Sequence, residues 1–290
     1  MGNKPLRVIV TRPAQDAAHW VKELKNNGFH AQALPLIEIG PASSKADISV
    51  LQDTFLRLAE YAACMFVSGN AVHYFFHQKN AADQSKRAHL APEHIAEEAF
   101  DALPSSLRFF APGPATAAAL RAAGVPAMQI DSPLTDSGQF DSEALWLVVG
   151  SRDWHAKRVL LLRGLTHGIV ASNAAGRDWL TQQLRAAGAR VDMVTVYERR
   201  SPQLSSAQID WVKEASHDRS VWLFSSSEAL VNLMQQSLLA GVDWREASAI
   251  ATHPRIAQAV RAAGWGVVQE SRPLLSDIVS ALRSIESTDS

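Results

Sequence analysis

Ala111-Pro112-Gly113-Pro114-Ala115-Thr116-Ala117-Ala118-Ala119-Leu120-Arg121-Ala122-Ala123-Gly124-Val125 is echoed late in the chain by Ala251-Thr252-His253-Pro254-Arg255-Ile256-Ala257-Gln258-Ala259-Val260-Arg261-Ala262-Ala263-Gly264-Trp265. Ahead of each lies a second matching pair, Phe66-Val67-Ser68-Gly69-Asn70-Ala71-Val72 and Phe224-Ser225-Ser226-Ser227-Glu228-Ala229-Leu230. Every one of these segments reads as a strand, a small polar turn and a helix start, and the order is the same both times. The chain therefore holds two similar α/β units, each with small polar turns at its strand ends. Two such edges facing one another would make a ligand cleft.

The repeat extends outward from there. Arg7-Val8-Ile9-Val10-Thr11-Arg12-Pro13 is restated by Arg158-Val159-Leu160-Leu161-Leu162-Arg163-Gly164, Trp20-Val21 by Trp179-Leu180, and Gly28 by Gly188. Pro13 suits a first helical turn and Gly28 a helix end, with Trp20, Val21 and Leu24 spaced for one apolar face. The strand His30 to Leu34 matches Ala189 to Val194, and Leu36-Ile37-Glu38 matches Thr195-Val196-Tyr197-Glu198-Arg199. The chain order is a strand–helix–strand piece, a run of strand–helix pairs, and then both again. Alternation of this kind predicts parallel α/β architecture. Two assemblies are open. Tandem domains would split near Gly150-Ser151-Arg152. Alternatively the pieces trade partners, with 43–193 continuous and inserted into a domain made of 1–36 and 200–290, and with crossing strands near 37–42 and 194–199. Within the first run of strand–helix pairs, where the second has a shorter connection, Lys79 to Leu90 reads as a polar loop and Pro92 as the start of a short helix through Phe100. Lys86, Arg87, Glu93, Glu97 and Glu98 read as a solvated face.

At 290 residues there is room for two cores, and 47% apolar and 20% charged residues is ordinary globular composition. A formal charge of -1 gives no global basic field for nucleic acid. The single cysteine, Cys64, excludes an internal disulfide and lies in an apolar run that reads as a buried strand. The first strand begins at once, without a signal-peptide pattern, and no apolar run is long enough for a membrane span. A cytoplasmic protein is the expectation.

In parallel α/β sheets ligands sit beyond the carboxyl ends of the strands. Four turns hold that place: Ser68-Gly69-Asn70, Pro112-Gly113-Pro114-Ala115-Thr116, Ser225-Ser226-Ser227 and Thr252-His253-Pro254-Arg255. Each one is an ordinary helix cap. Their recurrence at matching places favours anion binding by backbone N–H groups and hydroxyls. Neither a P-loop nor a dinucleotide fingerprint is present. His73 and His77 share a helical face without further ligands for a metal. Arg12, Arg163 and Arg199 stand at or near strand ends, where a cation can meet an acidic ligand. Tyr197 lies in a crossing strand beside charged residues, and a phenol there is either a half-buried strand tyrosine or a neutral proton donor.

Taken together, these residues resemble the uroporphyrinogen-III synthase family. The matching elements run from Val10-Thr11-Arg12-Pro13 and Pro35-Leu36-Ile37-Glu38-Ile39 through Phe66 to Val72 and Gly113-Pro114-Ala115-Thr116-Ala117. They continue through Asp141-Ser142-Glu143-Ala144-Leu145, Leu161-Leu162-Arg163-Gly164, Val196-Tyr197-Glu198-Arg199 and Phe224-Ser225-Ser226. The resemblance implies the partner-trading assembly, with two parallel-sheet α/β domains joined by a two-stranded β-ladder hinge. It implies a cleft for hydroxymethylbilane, a linear tetrapyrrole with eight carboxylates, with no metal or organic cofactor. The family reaction loses the terminal hydroxyl and closes the macrocycle with inversion of the last pyrrole ring. Tyr197 matches the family's tyrosine, a general acid for departure of the hydroxyl. Substrate contacts are implied for Thr116, Ser68 and Ser225, and expected with them for Arg12, Gly69, Asn70, Gly113, Arg163, Ser226 and Thr252. Thr252 stands in a turn that departs from the Gly-Pro-x-Thr form of the first unit. A monomer without nucleic-acid or membrane partners is expected. The rival class is a non-catalytic two-domain module closing on a small polyanionic ligand.

Overall fold

A computed structural model describes residues 6–88, 103–133, 142–166 and 175–288. The first strand, β1 (Arg7–Val10), is a central one, and its Val8, Ile9 and Val10 are fully buried. Alternate side chains of a strand point to opposite faces. Val8 and Val10 accordingly pack in one apolar cluster and Ile9 in another. A strand buried on both faces is the mark of a parallel sheet covered by helices on both sides.

β1 lies between β2 (His30–Ala33) and β9 (Val221–Phe224), and the sheet continues through β10 (Ser248–Ala251) to β11 (Val267–Glu270). Every pairing in this five-stranded sheet is parallel. The second sheet has the order β3-β8-β7-β4-β5-β6, with β3 (Glu38–Pro41), β4 (Ala63–Phe66), β5 (Arg108–Phe110), β6 (Ile130–Asp131), β7 (Arg158–Thr166) and β8 (Arg190–Arg200). Its pairs from β8 to β6 are again parallel. The two sheets are the same pattern written twice: β8-β7-β4-β5-β6 corresponds to β2-β1-β9-β10-β11. In each, the strand–helix–strand piece from one end of the repeat pairs with the strand–helix run of the other.

The chain divides into two compact units, one drawn from 1–39 and 200–290 and the other from 40–199. Gly150-Ser151-Arg152 falls inside the second unit. The first unit has a tryptophan-rich core, in which Trp222 lies edge-on to Trp244 and Trp265 at centroid distances of 5.5 and 6.2 Å. The second unit has a phenylalanine core around Phe66, which meets Phe75, Phe76 and Phe109 at 5.5, 6.1 and 6.3 Å.

Among the described residues the first unit carries helices α1 (Ala14–Asn26), α7 (Ser206–Ala215), α8 (Ser227–Met234), α9 (Pro254–Ala262) and α10 (Leu275–Thr288). The second carries α2 (Lys45–Leu56), α3 (Gly69–Ala88), α4 (Pro114–Ala122), α5 (Ser142–Val149) and α6 (Ala175–Ala186). They begin and end where the punctuation requires. α1 follows Pro13, which sits at the cap itself, one position before the first helical residue. Gly28 and Gly188 both have φ +90°, a left-handed conformation that suits glycine after a helix. Contrary to the sequence-based expectation, Lys79 to Ala88 is not a loop but the second half of α3. The stretch has no Gly or Pro, its Ala, Gln and Lys residues are good helix formers, and Lys79 pairs with Asp83 one turn on at 2.5 Å. The expected helix from Pro92 to Phe100, with Glu93, Glu97 and Glu98, lies outside the described residues. The Ala189 to Val194 strand and the crossing stretch form one strand, β8, rather than two. No helix among the described residues is long and apolar enough to cross a membrane.

Candidate active site

The carboxyl end of β4 leads through Val67 into Ser68, which caps α3. Its Oγ accepts the Ala71 N–H at 3.2 Å, satisfying one of the helix's first-turn donors. The same Oγ lies 3.2 Å from the Tyr197 hydroxyl, either oxygen being able to donate. Tyr197 comes from β8, two strands away in the same sheet, and is 5% exposed.

The surroundings of the ring are specific. The β7–β8 register shifts between Arg163 and Gly164, which brings Gly164 opposite Tyr197. Gly164 then lies directly against the oxygen-bearing end of the ring: a Cβ there would stand 2.8 Å from Cε1 and closer still to Cζ and Cε2. The Tyr74 ring, on α3, stacks on Tyr197 at 5.9 Å and 22°. Gln78 Nε2, one turn further along α3, donates to the Val196 carbonyl at 3.0 Å and holds the β8 backbone beside the tyrosine. Glu198, the next residue of β8, is almost fully buried and accepts from Ser43 N–H at 2.7 Å and from Ser43 Oγ at 3.0 Å.

Three tyrosines are present in the chain. Tyr61 lies at the opposite, amino end of β4, donating to Asp192 at 3.0 Å and accepting from Arg158 at 3.1 Å. Burial, then the bond to Asp192, push its phenol up to about 12. It is tied into an ion-pair cluster away from the strand ends that carry the polar turns.

The other expected contacts of this unit gather at the same sheet edge. Gly69 and Asn70 open α3, half-buried. Gly113 caps α4 in extended backbone, φ -154° and ψ 166°, with no side chain to occupy a first-turn N–H. Thr116, in the first turn of α4, is 5% exposed, and its hydroxyl makes no hydrogen bond with another described residue. A Cβ at Gly69 would touch Ala119 at 3.8 Å, so α3 and α4 run in contact near their starts. Arg163, near the end of β7, is exposed.

In the other unit, Arg12 follows β1 half-buried, its guanidinium 4.7 Å over the Trp20 ring. Its buried Nε finds no hydrogen-bond partner among the described residues. Burial lowers its pKa and nearby Asp16 partly offsets this. Ser226 caps α8 by accepting the Glu228 N–H at 3.2 Å, with Ser225 half-buried before it. Thr252 donates its N–H to the Phe224 carbonyl at 3.0 Å. The cap of α9 is His253, whose Nδ1 accepts the Arg255 N–H at 3.1 Å. Arg12, Ser225, Ser226 and Thr252 thus share the carboxyl ends of the adjacent strands β1, β9 and β10. The expected free N–H groups are partly engaged: three of the four turns spend one on the cap side chain, and only Gly113 leaves its helix uncapped in this way.

His73 and His77 are on α3 with ring centroids 6.0 Å apart, both exposed. Among the described residues no cluster of three or more His, Cys, Asp and Glu side chains is placed to hold a metal. Sequence reading misses Tyr74, Gln78 and the Ser43–Glu198 bond. The one advance signal for Tyr74 is its place on the helix that follows Ser68.

Two solved structures share this fold. One is a mutant uroporphyrinogen III synthase of Thermus thermophilus, 15% identical, with TM-score 0.51 and coverage of 98% of this chain and 99% of that one. The other is the uroporphyrinogen-III synthetase of Helicobacter pylori 26695, 16% identical, with TM-score 0.50 and coverage of 98% and 100%. The family model described as uroporphyrinogen-III synthase HemD matches residues 18–280, nearly the whole chain. With the doubled parallel sheet and a polar strand-end rim in each unit, this places the chain in the uroporphyrinogen-III synthase family.

Proposed function

We propose that Tyr197 is the general acid of the family's reaction in this chain and that the strand-end turns of both units hold the substrate's carboxylates. The family consists of cyclising hydro-lyases of tetrapyrrole, porphyrin and heme biosynthesis that act on hydroxymethylbilane. The observation that carries the proposal is the Tyr197 hydroxyl, held 3.2 Å from Ser68 Oγ at the polar edge of its sheet.

On this reading the chemistry is the family's, with Tyr197 as its proton donor. The terminal hydroxyl of the bilane leaves as water once a proton is delivered to it. The cation that remains closes with inversion of the last ring, through a spirocyclic intermediate, and the proton lost at ring closure restores the donor. The open bilane also closes on its own, without inversion, so the protein must fold the chain and keep water from the cation. Orientation of this kind supplies up to about 7–11 kcal/mol in favourable cases. Arg12 and Arg163 are proposed to meet carboxylates directly, Arg12 from a desolvated position that strengthens the pairing. Gly113 and Thr116 are proposed to offer the α4 N–H groups and a hydroxyl. Ser68, Gly69, Asn70, Ser225, Ser226 and Thr252 complete the two rims.

The division into 1–36 with 200–290, hinge strands 37–42 and 194–199, and 43–193 belongs to the same proposal, supported by the edge pairing of β3 with β8. So does action as a cytoplasmic monomer on the bilane, without nucleic-acid or membrane partners. The test is isomer analysis. Purified protein given fresh hydroxymethylbilane yields the type III macrocycle, read by chromatography after oxidation. Formation of type I alone, as in buffer, overturns the proposal, and tight tetrapyrrole binding without conversion points to the non-catalytic module instead.

A further inference from the structure

We infer that Gly164 and Tyr74 are positioning residues that together fix where the Tyr197 hydroxyl points. This rests on the reading of Tyr197 as proton donor. Ser68 alone does not determine the phenol's position, because one hydrogen bond leaves the ring free to swing about its Cβ–Cγ axis and about χ1. The rest of the constraint is steric. The register shift at Arg163/Gly164 brings a residue without a side chain against the ring. A methyl group at 164 would lie 2.8 Å from Cε1 and nearer still to Cζ and Cε2, inside the van der Waals surface of the ring. Those are backbone-anchored contacts at the hydroxyl-bearing end, so the ring and not position 164 would have to move. Tyr74 stacks on the same ring at 5.9 Å and 22°, and Gln78 pins both the Val196 carbonyl and the Tyr74 carbonyl, at 3.0 and 3.2 Å. The β8 backbone, α3 and the ring are therefore set relative to one another before substrate arrives.

Two substitutions test this from different sides, Gly164→Ala by displacing the ring and Tyr74→Leu by removing its stacked partner. Each is measured alone and in the Tyr197→Phe background, with circular dichroism and thermal unfolding as the check on folding. A misplacement of about 1 Å can cost as much as ~10²-fold in rate. Each single variant is expected to lower kcat by at least about tenfold with KM within about threefold. In the Tyr197→Phe background each is expected to lower kcat by less than about twofold further, because the hydroxyl they position is already gone. Should Gly164→Ala not fold, the Tyr74→Leu cycle decides alone. Equal losses in both backgrounds, or singles with unchanged kcat, overturn the inference while leaving Tyr197 in its role. Unchanged turnover in Tyr197→Phe itself overturns the donor reading and this inference with it.

Discussion

The two units use one scaffold and differ at the positions proposed to carry the chemistry. Aligning β8-β7-β4-β5-β6 on β2-β1-β9-β10-β11 sets Tyr197 against Ile37, Thr116 against Ile256, Gly164 against Pro13 and Gly113 against His253. Ile37 and Ile256 are 2% and 7% exposed and belong to the apolar core of their unit. Their counterparts Tyr197 and Thr116 are equally buried but carry hydroxyls, so one unit spends these positions on packing and the other on polar groups. The strand centres diverge too: Cys64 in β4 answers Trp222 in β9, and the space is filled by phenylalanines in one unit and by tryptophans in the other. What is preserved is the capping serine, Ser68 and Ser226, in both. The doubled scaffold thus carries a serine-capped strand end in each unit, whereas the tyrosine proposed as proton donor occurs in one unit alone, with Ile37 in its place in the other. A reaction that inverts one ring out of four has use for that asymmetry.

Four measurements break or sharpen this contrast. Trp222→Ala should have the largest effect, since Trp222 is fully buried among Phe224, Trp244 and Trp265. A loss of about 3–5 kcal/mol in denaturant unfolding is expected, and a smaller loss would mean the tryptophan cluster is not what holds that unit together. Tyr197→Phe should lower turnover by roughly 10²-fold with the unfolding transition near that of the parent. Unchanged turnover removes the chemical difference between the units. The two caps come next: Ser68→Ala and Ser226→Ala should each cost about 1 kcal/mol of stability. Only Ser68→Ala should also lower kcat, because only Ser68 touches the phenol. Equal kinetic effects would show that the rims, not the tyrosine contact, account for both. The smallest effect concerns Cys64. Burial pushes its thiol up from the ordinary value, so the reactive thiolate is scarce at mildly alkaline pH. Native protein should resist a thiol reagent that reacts promptly once denaturant is added, and fast native labelling would show that the β4 core opens.

Much of this architecture is legible from the chain because parallel strands buried on both faces are written as short apolar runs, and because each run is followed by a cap and closed by a glycine. The repeat makes the strand order recognisable, and Tyr197 stands out as a polar residue in an extended stretch. Other features are hidden for physical reasons. The far half of α3 reads as a loop because it is polar, although an exposed helix face is polar too. Gly164 stands within a recognisable motif, but its closeness to Tyr197 depends on a register shift between two consecutive strands joined by a helix, which no local pattern encodes. The His253 cap is equally unreadable, since histidine is not among the preferred capping residues.

The exchange of pieces between the repeats has a consequence for synthesis. The unit drawn from 40–199 is contiguous, so its sheet strands β4 to β8 are all available once Arg200 has been made. The other unit places β1 at the centre of its sheet, and β1 bonds on one side to β9, which begins at Val221. β1 is thus left with one flank unpaired until β9, which follows the strands and helices of the other unit, has been made. Pairings so distant in sequence close slowly, and a waiting apolar strand edge is an aggregation hazard. Val8, Ile9 and Val10 mark where the nascent chain is most exposed to it, and where a holding chaperone would matter most.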